Sequence, residues 1–487
     1  MNKYLLLTAL ISVASATYAQ DSYDAQTFAN SDLNGTARFV AMGGALGALG
    51  GDVNVMSTNP AGTGLYRSSD AAFSFSGLFT GEGAMGHDGA RMSFDQGGVL
   101  IAFDMDEPTS KGLQFVNFGV NYKKNRNFLY NQLTDVKNLN DTFSQTYQIA
   151  DLCNYAFAND YWGTLANMSA AEEGVHGGIL DESDGYAGLP ASKAYYEKAT
   201  FGSNIQADVN LSFNISDQFF LGASVGVYDL DYHRESFYQE QGTDAVVYDF
   251  TNWYKTEGDG FDVKLGFICR PIEDSPFRFG LSVHTPIWYR LTDSNGADLF
   301  MNDEFVSSEA NAEYDYRFRT PWKFGVSVGH TIGQNFAIGA EYEFQDMGSM
   351  HYRAMGGYNN DYFRNVNRIT EQTLRGQHTL KVGMEYKPIE ALSLRAGYNF
   401  VSSPFKKDAF RTIGYDGVYT ETDYTNWGAI NRFSVGLGYR YKGGYVDLAW
   451  QYQAQKGDFY AFDDVDLKPT KVDANRSQLL ATFGFRF

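Results

Sequence analysis

From about residue 70 to the C-terminus the chain keeps returning to a period of two. Phe433, Val435, Leu437, Tyr439 and Tyr441 alternate with Ser434, Gly436, Gly438 and Arg440, which gives a strand with one apolar face and one polar or glycine face. Leu380, Val382, Met384 and Tyr386 stand in the same way against Lys381, Gly383 and Glu385. Leu392, Leu394, Ala396, Tyr398 and Phe400 do so against Ser393, Arg395, Gly397 and Asn399. The last segment, residues 478–487, also alternates and ends on Phe487. Segments of this kind centre near residues 75, 97, 118, 208, 225, 265, 282, 322, 341, 380, 396, 436, 449 and 482. The count is about fourteen, an even number, as single-chain bacterial barrels require.

The connections give an independent test. Short links at 216–218, 332–335, 387–390 and 441–444 alternate with long polar ones near 234–258, 291–311, 348–373, 403–430 and 456–475, the parity of periplasmic turns and outer loops. A soluble sandwich has no reason to keep it. Composition agrees: 51 Gly, 16% aromatic, only 10 Pro and a mean hydropathy of −0.35 suit strands whose lipid-facing and lumen-facing residues average out. The expected fold is therefore all-β, a membrane-spanning antiparallel barrel of about fourteen strands in a bacterial outer membrane. The formal net charge of −20 excludes a nucleic-acid partner, which needs a basic stripe. Cys153 and Cys269 are expected near opposite ends of the barrel and unbridged.

Residues 1–19 read as a cleavable signal peptide: Lys3, an apolar run over 4–13, then small residues ending at Ala19. A transmembrane anchor would need about 20 unbroken apolar residues, and Ser12, Ser15 and Thr17 interrupt this run. Residues 20–69 break the strand pattern, being Gly/Ala-rich over 41–52 and then reading Ser57-Thr58-Asn59-Pro60-Ala61-Gly62. They form a compact segment plugging the barrel of residues 70–487. Gly43-Gly44-x-x-Gly47 is no phosphate loop, since no strand precedes it and no Lys-Ser/Thr follows.

On these residues the sequence resembles the FadL/TodX family of outer-membrane transporters for long-chain fatty acids and other hydrophobic compounds. There an N-terminal hatch with a Gly/Ala-rich stretch and an Asn-Pro-Ala motif, matched by Asn59, Pro60 and Ala61, plugs a fourteen-stranded barrel. Phe279-Gly280-Leu281-Ser282-Val283-His284-Thr285-Pro286-Ile287 is similar to a family strand ending at a loop entry. Residues 320–327, 340–344, 394–398 and Ser403-Pro404 are similar to later strands. The resemblance covers about residues 35–69 and 200–487. It implies gradient-driven transport of hydrophobic molecules, long-chain fatty acids first, with capture at the outer loops, a lumen site near the hatch, and sideways exit at a kinked third strand. Gly119 is the candidate kink. A long outer loop is expected over 125–200, where Trp162, Leu165 and Met168 at helical spacing are a candidate entry groove or, equally, packing on the rim.

A fatty acid also needs a cation for its carboxylate. Alternation puts Lys381, Arg395 and Arg440 in the lumen as candidates, beside Lys264 and Arg486 and the acids Asp208, Asp262, Glu341, Glu343, Glu385 and Asp447, with which they are expected to pair. Enzyme activity is not expected, since His87, His176, His330 and His351 lack a local nucleophile motif. No metal site or cofactor is implied. The expected partners are a hydrophobic small molecule, outer-membrane lipid and, through the terminal Phe487, the barrel assembly machinery, with the chain a monomer. The alternatives are a surface receptor or adhesin for another hydrophobic ligand such as haem, and a diffusion porin.

Overall fold

The computed structural model describes residues 20–105, 112–160, 162–170, 180, 185–242, 247–272, 275–356, 361–411, 420–464 and 466–487; the expected signal peptide lies outside them. Fourteen antiparallel strands close into a barrel. They are β1 Asp70–Phe79, β2 Ala90–Asp104, β3 Leu113–Asn127 continued by Tyr130–Val136, β4 Ala191–Ile215, β5 Phe219–Gly242, β6 Val247–Cys269 and β7 Arg278–His284 with Trp288–Met301. The second half comprises β8 Glu304–Arg319 with Lys323–Ile332, β9 Phe336–Asp346 with His351–Ala354, β10 Gly376–Ile389, β11 Leu392–Val401, β12 Tyr424–Tyr441, β13 Gly444–Tyr460 and β14 Thr470–Asp473 with Arg476–Arg486. Each pairs with its neighbour in sequence, and β1 closes the ring on β14 from Asp70↔Arg486 to Phe79↔Ser477.

The alternation translates directly into an inside and an outside. Phe433, Val435 and Leu437 are about half exposed while Arg432 and Ser434 are buried in the lumen, and Phe73, Phe75, Phe94, Val225, Phe324 and Phe483 continue the outward apolar surface around the ring. The β1–β14 pairing closes the ring, and the outward apolar belt is that of an outer-membrane barrel. No helix among the described residues is long and apolar enough to cross. The short turns, Ser69 and the C-terminal Phe487 mark the periplasmic end.

The wall is taller than expected. β4 runs for 25 residues, roughly 80 Å at ~3.3 Å per residue, against a hydrocarbon core of about 30 Å. Within the stretches 234–258 and 291–311, expected as loops, residues 234–242, 247–258, 291–301 and 304–311 are the outer halves of β5 to β8, and β3 and β4 extend into the expected loop 125–200 at both ends, to Val136 and from Ala191. The loss of apolar residues there marks the exit from lipid, and alternation goes on with Tyr, Glu and Gln. Pro286 and Pro321, which have no N–H for the ladder, interrupt β7 and β8 at one height, where Thr320 and Ile287 bond each other across the gap. Pro286 thus breaks its strand and does not end it.

Residues 20–69 lie inside the barrel. They form α1 Ser22–Ala29, α2 Ala37–Ala41 and two short 3-10 turns, Val53–Ser57 and Pro60–Leu65. Lumen-facing glycines let this backbone approach: a Cβ on Gly383 would lie 2.2 Å from the Met42 carbonyl oxygen, one on Gly397 2.2 Å from the Gly43 nitrogen, and one on Gly222 2.3 Å from the Pro60 carbonyl carbon. Above, the outer connection folds as α3 Gln145–Asn159 and α4 Thr164–Ser169. Glu240 of β5 anchors α3 by accepting bonds from Gln145 N and Ser144 Oγ at its N-terminus, where a carboxylate suits the helix dipole. A third helix, α5 Asp361–Thr373, covers the lumen and packs its Phe363 against Tyr352.

Candidate functional site

The lumen is charged, and most of its charges are satisfied. Lys264 contacts Asp208 at 2.9 Å and Asp262 at 2.5 Å. Lys381 contacts Glu341 and Glu343, each at 2.7 Å, and Arg395 bonds Glu385 and Asp447. Arg38 of α2 joins Glu385 at 3.0 Å. Of the expected carboxylate-binding cations, Lys381 and Arg395 therefore already hold two acids each. Arg440 is exposed at the periplasmic mouth, lining a cavity of about 360 Å³ that Arg395 also lines.

Two lysines that the sequence did not single out stand apart. Lys123 of β3 is 5% exposed, donates to Ser57 Oγ at 3.5 Å and lies over the Phe39 ring, and Lys323 of β8 is half-buried; neither makes an ion pair among the described residues. Both line a mid-lumen cavity of about 100 Å³ beside residues 29–33 of the plugging segment. An unpaired buried ammonium group is costly, and the acids that also line the cavity, Asp262, Glu343 and Asp32, are already paired to Lys264, Lys381 and Arg476, so an anion beside Lys123 is favoured. The signal for them was weak, because an inward lysine without an inward acid opposite it is recognised only once strand register is known.

The wall beside this cavity is incomplete. β2 pairs with β3 only from Asp104↔Phe115 to Gln96↔Lys123; beyond that, Ala90 to Phe94 pair only with β1, across a register shift between Ser74 and Phe75 that skips Asp95, and β3 goes on paired to β4 alone. Residues 32–34 take the place of the missing ladder. Asp32 N donates to Asn125 O at 2.9 Å and Asn127 N donates to Asp32 Oδ2 at 3.0 Å. Asn34 Nδ2 donates to both Lys124 O and Asp95 Oδ1, and outside them Lys124 Nζ meets Ser93 Oγ at 2.6 Å. The β2–β3 seam is thus held by side chains and by residues 32–34, where elsewhere the wall is held by a strand ladder. Gly119, the expected kink, pairs regularly with Leu100 and Asn210; its missing Cβ makes room for Met56. The irregularities of β3 fall instead at Leu113/Phe115, at Lys124/Arg126 and at the break after Asn127.

A second cavity, about 170 Å³, lies above the first and touches the breaks of both β3 and β14 through Phe128, Leu129, Ala474 and Asn475. Residues 30–32 and Arg432 line both cavities, and Asp32, ion-paired to Arg476, stands between them. On the outer side Gln132 alone is shared with a surface groove of about 390 Å³ above the β1–β2 hairpin. The chain of spaces runs from groove to upper cavity to lysine cavity, past Gln132 and then Asp32.

The Asn-Pro-Ala motif sits deep in the barrel. Asn59 Oδ1 caps the second 3-10 turn by accepting from Ala61 N, with Pro60 at its first position, and the three residues press on β5 to β7 at Gly222, Gly266 and Gly280. Leu165 and Met168 are buried in the core of the outer connection with Cys153. Trp162 is part-exposed and edge-on to Tyr186. The three residues do not share one open groove.

No family model matches the chain, and no curated protein does. Among solved structures it is similar to the crystal structure of a Pseudomonas aeruginosa FadL homologue, at 13% identity over 94% of this chain and 98% of that one, with a TM-score of 0.50. The Pseudomonas putida toluene transporter TodX matches at 11% identity over 94% and 99%, TM-score 0.49. The Ralstonia pickettii toluene transporter TbuX matches at 13% over 93% and 98%, TM-score 0.48. At such identity the likeness is one of fold, and the chain has the architecture of a FadL homologue.

Proposed function

We propose that this chain transports hydrophobic molecules across the outer membrane, long-chain fatty acids among them, down their gradient and with residues 20–69 as a movable hatch. The observation that carries the reading is the β2–β3 seam. A polar solute gains nothing from a wall that can part sideways, whereas a greasy one leaves water for lipid. The packed lumen argues against a diffusion porin, and nothing in the geometry favours haem. Lys123 and Lys323 suit the carboxylate. The aromatic space above, walled by Tyr228, Tyr289 and Phe318 and filled by Phe28 of α1, suits a tail once α1 yields. Exit would follow when residues 32–34 withdraw from β3.

Native mass spectrometry on protein purified in a mild detergent tests this. A co-purifying fatty acid is expected, and the double variant Lys123→Met, Lys323→Met should retain markedly less of it. Wild-type protein that comes through empty and takes up no added fatty acid overturns the reading.

A further inference from the structure

Gln20 and Asp293 form a buried pair of residues that transport does not explain. Asp293 of β7 is 2% exposed and accepts four hydrogen bonds: from Gln20 Nε2 at 2.7 Å, Thr256 Oγ1 at 2.7 Å, and the hydroxyls of Tyr254 and Tyr316 at 2.9 Å. All four donors are neutral, and no cation pairs with it among the described residues. Gln20 is equally buried, and its Oε1 has no hydrogen-bond partner there. The neighbouring acids are already committed, Asp21 to Arg411 and Asp24 to Arg234. The pocket therefore holds one uncompensated carboxylate and one idle acceptor, and it lacks a cationic donor.

Gln20 is also the residue that removal of residues 1–19 would leave first in the chain, and the inference rests on that reading of the leader. Cleavage turns its amide nitrogen into an ammonium with three donors, charged at neutral pH. Its side chain already touches Asp293, so covalent geometry keeps that ammonium within roughly 6 Å of the contact point. We propose that Asp293 is the docking site for the ammonium group of the processed chain, so that leader removal completes a buried ion pair which pins α1 in the upper lumen. A chain that keeps residues 1–19 has a neutral amide at the Gln20 nitrogen and cannot form the pair.

The test begins with the intact mass of protein recovered from outer membranes, where an unmodified Gln20 terminus is expected. Its amine should resist an amine-selective reagent in the folded protein and react after denaturation, and Asp293→Asn should raise folded-state labelling by on the order of tenfold or more. A double-mutant cycle separates pairing from general packing. Asp293→Asn should lower the unfolding midpoint more in the native chain than in a chain whose terminus is extended by two residues before Gln20, where only the four neutral hydrogen bonds are disturbed. A terminus at another residue refutes the leader reading on which the inference rests. A Gln20 terminus that is cyclised, that labels freely in the wild type, or that gives an additive cycle refutes the ion pair itself. Neither result touches the fatty-acid measurement.

Discussion

At the scale of single residues, close packing decides roles that residue type leaves open. Gly397 looks like one more strand glycine, yet it is the point where β11 meets Gly43, with no room for a Cβ. Gly397→Val should therefore destabilise the barrel by about 1–3 kcal/mol through overpacking, read as a lower urea midpoint in detergent, and an unchanged midpoint would mean that residues 20–69 shift at no cost. Lysines show the same division. Alternation turns Lys381 and Arg395 inward, and cross-strand register places Glu341 opposite Lys381 and Glu385 opposite Arg395, so each found acids. Lys123 and Lys323 follow the same alternation and found none. Cys153 is another such case: burial in the outer connection pushes its thiol up to about 12, so it should resist thiol reagents at pH 8 until the protein is unfolded, and rapid labelling of folded protein would show that the α3–α4 core opens.

At the scale of elements, the positions of all fourteen strands were legible because lipid on one side and a polar lumen on the other impose period two. Their outer ends were not, since past the membrane both faces are polar and a loop and a strand look alike in composition. The proline breaks of β7 and β8 had a visible cause in Pro286 and Pro321. The β2–β3 seam had none, because it depends on which partner β3 lacks. Cysteines replacing Asn34 and Asp95, whose side chains bond at 2.9 Å, in a chain with Cys153 and Cys269 changed to Ser, test whether the seam must part. Cross-linking the pair should block fatty-acid uptake by cells and reduction should restore it; full uptake with the cross-link formed would show that the seam stays shut during transport.

At the scale of the whole molecule, three spaces of about 100, 170 and 390 Å³ follow one another without forming a continuous water path, since Asp32 and Gln132 stand between them. Planar bilayers holding the protein should therefore show little steady ion conductance, and removal of residues 20–69 should produce a pore; a large conductance in the intact protein would favour the porin instead. The sequence by itself determined the barrel, its strand count and its inside and outside, because these follow from side-chain alternation between two solvents, a local property that every strand repeats. Only the tertiary structure decided which charges are satisfied, where the wall is stitched by side chains and what the segment 20–69 touches. Those depend on register between strands and on contacts between residues hundreds of positions apart, which no local pattern encodes.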